Sequence, residues 1–326
     1  MVKKKIVVIG GGTGTSVVLS GLKQYKDLDL TAVVSVADNG GSTGRLKDEF
    51  GFLPVGDLRQ CLAALADGKH QDWVRKMLLY RFHKGEGLKG HNLGNLILTA
   101  LEDISVKPGL AIETATNIFR IRGRVLPITE KSVDLVIEYQ DGSVVIGENI
   151  LDNNKLGGKK ISKIKLSPRA NIYQKAAKVI KEADLVILGP GDLYASLLAN
   201  SLANGFSKAL KQNKGKFVYV ANLMTHYAQT NNMSAKDHLE EVIKYCQREP
   251  DKIIINSGKV PSSILKNYKA ENEHQLEDDL PKDKNLIIRK DLISSIKPKK
   301  SKGDEVTRTL IRHDQVKLAR IFIQLL

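Results

Sequence analysis

The sequence predicts an α/β protein built on a doubly wound, mostly parallel sheet with helices on both faces and a small β-rich insertion. Three observations predict it. Short apolar β-type runs alternate with segments of helical period along most of the chain. Glycine-rich turns stand at the carboxyl ends of three of those runs. One central stretch switches to alternating, hairpin-forming sequence.

Residues 4–9 read as the first strand, ended by glycines. Residues 15–25 are helical, with Val17, Val18, Leu22 and Tyr25 on the apolar face, and 30–37 is a second apolar, β-branched run. Two strands around a helix make a βαβ unit, whose crossover is right-handed and whose strands are parallel. Helical periods follow at 57–66, 72–81, 92–103 and 110–119. A β-rich insertion takes up about 125–166, with runs at 125–127, 132–139 and 143–147; Gln140-Asp-Gly between the last two is a hairpin signal. The doubly wound pattern then resumes with helix 171–181, strand 185–188, helix 194–203, strand 217–221, helix 236–246 and strand 253–256. Residues 271–284, acidic and breaker-rich, and 297–303, basic with Pro and Gly, read as flexible surface loops. Residues 314–326 carry Val316, Leu318, Ala319, Ile321, Phe322 and Leu325 at helical spacing, which predicts a docking helix closing a C-terminal section 269–326. The expectation is one Rossmann-like domain over 1–326.

The 326 residues are 42% hydrophobic and 27% charged, an ordinary globular balance. The apolar run after Lys3–Lys5 stops at Gly10, too short for a signal peptide, and no apolar window approaches the ~20 residues of a membrane span. Cys61 and Cys246 stand far apart without metal spacing, which fits a reducing compartment and a cytoplasmic protein. The net charge of +15 suggests an anionic partner. Its lysines are scattered and no aromatic platform or helix-turn-helix accompanies them, so nucleic acid is not the expected partner.

The first glycine turn is Gly10-Gly-Gly-Thr-Gly14, between strand and helix. Amides at a helix N-terminus are unpaired and partly positive, so this end attracts phosphate, and glycine lets backbone touch the ligand. As a dinucleotide fingerprint it is defective, because Thr15 stands where the third glycine belongs. The alternative is a tight turn with no ligand. Asp38-Asn-Gly-Gly-Ser-Thr-Gly44 is the second turn, on the same sheet edge, where an acid, glycines and hydroxyls make a second anion nest. Asp38 could instead cap its own turn. In Pro54-Val-Gly-Asp-Leu-Arg-Gln-Cys61, Asp57 caps a helix by position, and Arg59 pairs with an anion or a nearby acid. Asn92 and Asn95 lie one turn apart at a helix start, either facing the cleft or capping. The third glycine turn, Leu188-Gly-Pro-Gly-Asp-Leu-Tyr194, follows a strand and puts Asp192 at an N-cap. Asn222-Leu-Met-Thr225 ends the next strand on that edge.

Together these six motifs, in this order, resemble the YvcK/CofD-like family over nearly the whole chain. One branch of that family transfers a phospholactyl-type group from a guanylated donor onto a deazaflavin with a divalent metal. The other branch, which this sequence resembles more through Asp38–Gly44, Tyr268 and Arg312, comprises factors for gluconeogenic growth and cell shape that bind UDP-sugars such as UDP-N-acetylglucosamine. The resemblance implies a ligand site over Gly11, Gly12, Thr13, Gly14, Asp38, Asn39, Gly40, Gly41, Ser42, Thr43, Asn92, Asn95, Gly189, Gly191, Asp192, Tyr194 and Asn222. Tyr268 would stack on or bond the nucleotide, and Arg312 would pair with its phosphates. If the transferase metal is kept, Asp38 and Asp57 are its ligands by motif position, an Mg²⁺-type pair completed by phosphate and water. Gln315 stands where such proteins can carry a phosphorylatable threonine, which argues against that regulation. The family also suggests a homodimer. No Ser-His-Asp set, zinc cluster or clear general base is present, which favours a binding factor over an enzyme, although phosphoryl-group transfer can rest on positioning alone.

Overall fold

The computed structural model describes residues 2–67, 71–147, 158–296 and 310–326; the basic stretch expected at 297–303 lies outside them. The chain opens with β1 (Lys4–Gly10), α1 (Gly12–Leu22) and β2 (Leu28–Val34). Next come α2 (Gly41–Phe50), α3 (Gly56–Leu65), α4 (Gln71–Leu79), α5 (Leu93–Ser105) and α6 (Pro108–Ile118). Strands β3 (Arg124–Pro127), β4 (Asp134–Tyr139), β5 (Val144–Ile146) and β6 (Ile161–Ser167) follow. After α7 (Gln174–Glu182) and β7 (Leu185–Leu188), a π-helical turn at Leu193–Leu198 leads into the short α8 (Ala199–Ser201) and α9 (Phe206–Gln212). The last elements are β8 (Lys216–Val220), α10 (Ala235–Cys246), β9 (Lys252–Asn256), α11 (Ser262–Ala270), β10 (Ile287–Lys290) and α12 (Gln315–Leu325).

Among the described residues, seven strands form one sheet in the order β10-β9-β8-β7-β1-β2-β3, every neighbouring pair parallel. Parallel strands are covered by helices on both faces, which is why β1, β7 and β8 are nearly unbroken apolar runs with buried side chains. The fold class is the one the sequence predicts. A second sheet, β5-β4-β6, is antiparallel, and its β4–β5 hairpin turns at the Gln140-Asp-Gly signal with Gly142 at φ +83°. It is tied down by Lys47 on α2, which pairs with Asp134 at 2.6 Å, and by Tyr245 on α10, whose hydroxyl accepts the Ile164 N–H. Residues 124–127 belong to the large sheet, not to the small one: β3 pairs with β2 through Thr31–Val34. No helix among the described residues is long and apolar enough to cross a membrane.

Two expectations change. Residues 271–284 are not a loose loop. The His274 N–H donates to Thr225 Oγ1 at 2.9 Å, the Lys236 N–H donates to Asp279, and Arg289 grips Asp278 through two nitrogens. The helix expected at 194–203 begins as a π-helical turn and runs on into α8, where buried Asn200 donates to the Gly10 carbonyl.

The chain runs from β1 through α1 to β2 on one side and reaches β7 on the other. That reversal is a topological switch point, and it opens a crevice beyond the carboxyl ends of β1 and β7.

Candidate functional site

The crevice is a cleft of about 710 Å³, and the glycine turns form its floor. Gly11 is extended and caps α1, and Gly12 takes the left-handed φ of +60°, so α1 begins inside the glycine run, three residues earlier than expected. Its N-cap residue, Gly11, supplies no side-chain cap, and the Asp57 carboxylate takes the Gly12 N–H, which leaves the amides that follow in the first turn to an anion. Opposite it lies the turn at 189–191, with Gly189 at φ +89°. A Cβ on Gly14 would fall on the Pro190 carbonyl, and one on Gly11 would strike the Asp57 carboxylate. Here glycine is required by close approach.

The second turn is organised by Asp38, whose Oδ1 accepts the Gly40 N–H at 2.8 Å. It therefore makes the local Asx turn while also lining the cleft. Gly41 (φ +47°) opens α2, and Ser42 and Thr43 fill its first turn. Their hydroxyls are held from α5: Asn95 Nδ2 donates to Ser42 Oγ at 3.2 Å and to Thr43 Oγ1 at 3.3 Å. The Asn92 N–H donates to Ser42 Oγ, while the Asn92 side chain caps α5 by accepting the Asn95 N–H. Of the two asparagines, only Asn95 lines the cleft.

Asp57 is buried but does not cap its helix. Val55 is the N-cap of α3, and Asp57 is turned into the cleft, where the Gly12 N–H bonds it. Burial, then the charge of Asp38, pushes its pKa up to about 8, against the pull of Arg59. Burial also raises Asp38. Two buried acids that repel each other favour uptake of positive charge, as a proton or a divalent cation. The pair thus fits Mg²⁺ completed by phosphate and water oxygens. Among the described residues there is no cluster of three or more His, Cys, Asp or Glu able to hold a metal. Arg59 also lines the cleft, with Nε donating to Asn95 Oδ1 at 2.7 Å and Nη1 to the Leu78 carbonyl at 3.0 Å.

The far wall comes from the end of β8 and the chain before α12. Asn222, Leu223, Met224, Thr225 and His226 line it, with Glu273 beside them. Tyr268 is 3% exposed, and its hydroxyl accepts the N–H groups of Leu310 (2.9 Å) and Ile311 (3.3 Å). It thereby fixes the segment that presents Arg312 and His313 to the cleft. Leu223, Met224, Val260, Tyr268 and Ile311 form a small separate apolar cluster under this wall.

The structure thus gathers Gly11–Gly14, Asp38, Gly40–Thr43, Asp57, Asn95, Gly191, Asp192, Asn222, Tyr268 and Arg312 around one cleft. It leaves four predicted positions outside the lining. Gly189 and Asn39 shape the turns, Asn92 caps, and Tyr194 is buried with its hydroxyl toward Glu241 on α10. Sequence reading missed Arg45, Arg81, Lys89, His226 and Glu273, isolated charges with no spacing signal.

The family profile described as 2-phospho-L-lactate transferase CofD matches residues 6–293. The gluconeogenesis factor of Bacillus subtilis is 37% identical over 329 residues, covering 99% of this chain and 98% of that protein. That of Listeria innocua is 39% identical over 265 residues, 81% of this chain and 80% of its own length. A crystal structure of a UPF0052 family member from Bacillus halodurans superposes with a TM-score of 0.89 at 32% identity, covering 99% of each chain. The glycine turns at the switch point, the paired acids and this full-length similarity place the chain in the CofD family, on its gluconeogenesis-factor branch.

Proposed function

We propose that this chain is a regulatory factor that binds a nucleotide sugar of the UDP-N-acetylglucosamine type in the switch-point cleft without turning it over. The observation that carries the reading is the convergence of the glycine turns that open α1 and α2 with Arg312 in one cleft. Backbone amides of the glycine turns take the diphosphate, and the guanidinium of Arg312 adds a forked donor set. The wall of Asn222, Tyr268 and Ile311 offers an apolar surface with polar edges for the nucleoside. Relatives named gluconeogenesis factors support a role in growth on gluconeogenic carbon sources; control of cell shape belongs to the proposal through the sequence resemblance alone.

Calorimetry with UDP-N-acetylglucosamine, GDP and NAD tests this. The UDP-sugar is expected to bind, and Arg312→Ala to weaken it about tenfold or more, a loss of about 1.4 kcal/mol or above. Absence of UDP-sugar binding by a protein that circular dichroism shows to be folded would overturn the reading.

One observation favours a second reading, a phospho-group transferase acting on a nucleotide-linked donor: the neighbouring buried acids Asp38 and Asp57. A bound Mg²⁺ there would neutralise charge on the transferring group. The protein's own part would be to hold the diphosphate on the glycine amides and to place both buried carboxylates beside it, where a cation in place of a proton would balance their charge. This reading requires time-dependent nucleotide release from the donor, abolished in Asp38→Ala.

A further inference from the structure

Three basic side chains of the cleft, Arg45, Arg81 and Lys89, have no part in the nucleotide reading. They belong to the β2 side of the switch point, whereas Tyr268 and Arg312 belong to the β8 side. One loop aims two of them. Both terminal nitrogens of Arg45 reach the Lys89 carbonyl, at 3.4 and 3.5 Å, and Arg81 donates to the next carbonyl, Gly90, at 2.7 Å. Gly90 has φ +82°, and a Cβ there would stand 2.9 Å from Arg45 Nη2. The glycine therefore keeps the space that the guanidinium occupies. The same loop is fastened to the first turn of α2 by the Asn92 N–H on Ser42 Oγ at 3.1 Å. Neither Arg45 nor Lys89 is within ion-pair distance of a described carboxylate. His91, at the base of the loop, responds to this field: burial lowers its pKa, and the charges of Arg45 and Arg81 lower it further.

We propose that Arg45, Arg81 and Lys89 form a second anion subsite on this rim of the cleft, which takes the phosphate of a phosphorylated small molecule bound beside the nucleotide. Two guanidinium forks and an ammonium match the three oxygens of a phosphate monoester. The position beside a nucleotide rests on the nucleotide-sugar reading; the subsite itself does not. The same chemistry would recognise a phosphate at the far end of one long ligand, and the experiment separates the two sources.

Inorganic pyrophosphate is the probe, titrated by calorimetry into protein saturated with UDP-N-acetylglucosamine. Pyrophosphate is expected to bind the loaded protein, and the Arg45→Gln/Lys89→Gln variant, altered only at exposed side chains, to bind it about tenfold more weakly. Arg81→Gln should weaken it as well, with circular dichroism confirming its fold. Failure of pyrophosphate to bind the loaded protein overturns the proposal, since the cleft then holds one anionic ligand only. Equal pyrophosphate affinity in wild type and double variant overturns it too. Should the chain bind no UDP-sugar, the same comparison on the unloaded protein decides the subsite separately from the nucleotide reading.

Discussion

Glu102 on α5 is 5% exposed, and its Oε1 accepts the Leu53 N–H at 3.0 Å, on the segment between α2 and α3. Burial raises its pKa from 4.5 to about 7, with the Leu53 bond opposing the rise. The folded chain thus keeps a proton that the unfolded chain releases. Stability contributed at this position is greatest below about pH 4.5 and is lost as pH rises toward 7. Glu102→Gln keeps the acceptor and removes the charge. In urea unfolding, the variant is expected to be more stable than wild type at pH 8 by on the order of 2–3 kcal/mol, and the two curves to converge near pH 4.5. Parallel curves across that range would contradict the assignment. Gly14 and Gly41 make a second residue-scale contrast. Gly14→Ala places its methyl on the Pro190 carbonyl and is expected to reduce UDP-N-acetylglucosamine affinity more than tenfold by calorimetry. Gly41→Ala meets nothing within 4 Å but must hold φ +47°, at a cost of about 1–2 kcal/mol in stability. The sequence shows both as glycines; only the fold shows that one is required by contact and the other by backbone conformation.

At the scale of elements, α12 was legible because its apolar residues recur at helical spacing and four of them, Leu318, Ala319, Ile321 and Phe322, are buried. It lies against α1 so closely that a Cβ on Gly21 would fall on the Gln315 carbonyl. Asp314 caps it, accepting the N–H groups of Val316 and Lys317 at 2.8 and 3.0 Å. Asp314→Ala is expected to cost about 1 kcal/mol, read as a lower urea midpoint with unchanged slope. Helix α2 was not legible. Its buried positions, Ser42, Thr43, Gly44 and Leu46, are mostly small or polar, so it carries no apolar stripe to signal a helix. Its first turn is stabilised from outside, by Asn92 and Asn95 some fifty residues later. The acidic segment 271–284 misleads for the same reason. Composition suggests a loose loop, but the partners of its polar groups, Thr225, Lys236 and Arg289, come from elsewhere in the chain.

For the whole molecule, the cleft exists because β1 has β2 on one side and β7 on the other, so turns separated by about 175 residues, at Gly14 and Pro190, face each other. A ligand that bridges them binds the folded state alone. UDP-N-acetylglucosamine at a hundred times its Kd is therefore expected to stabilise the protein by about 2.7 kcal/mol, and the Arg312→Ala variant much less at the same concentration. Denaturant titration with and without ligand measures the difference. The sequence by itself determined the doubly wound class and the phosphate-type turns, because both follow from local signals: strand and helix periods, and glycines at strand ends. Tertiary structure decided which side chains share the cleft. It turned Asp57 away from capping and toward Asp38, buried Tyr194 against α10, and brought Arg45, Arg81 and Lys89 to one rim. Side-chain direction and long-range charge proximity depend on packing between elements, and no local pattern encodes them.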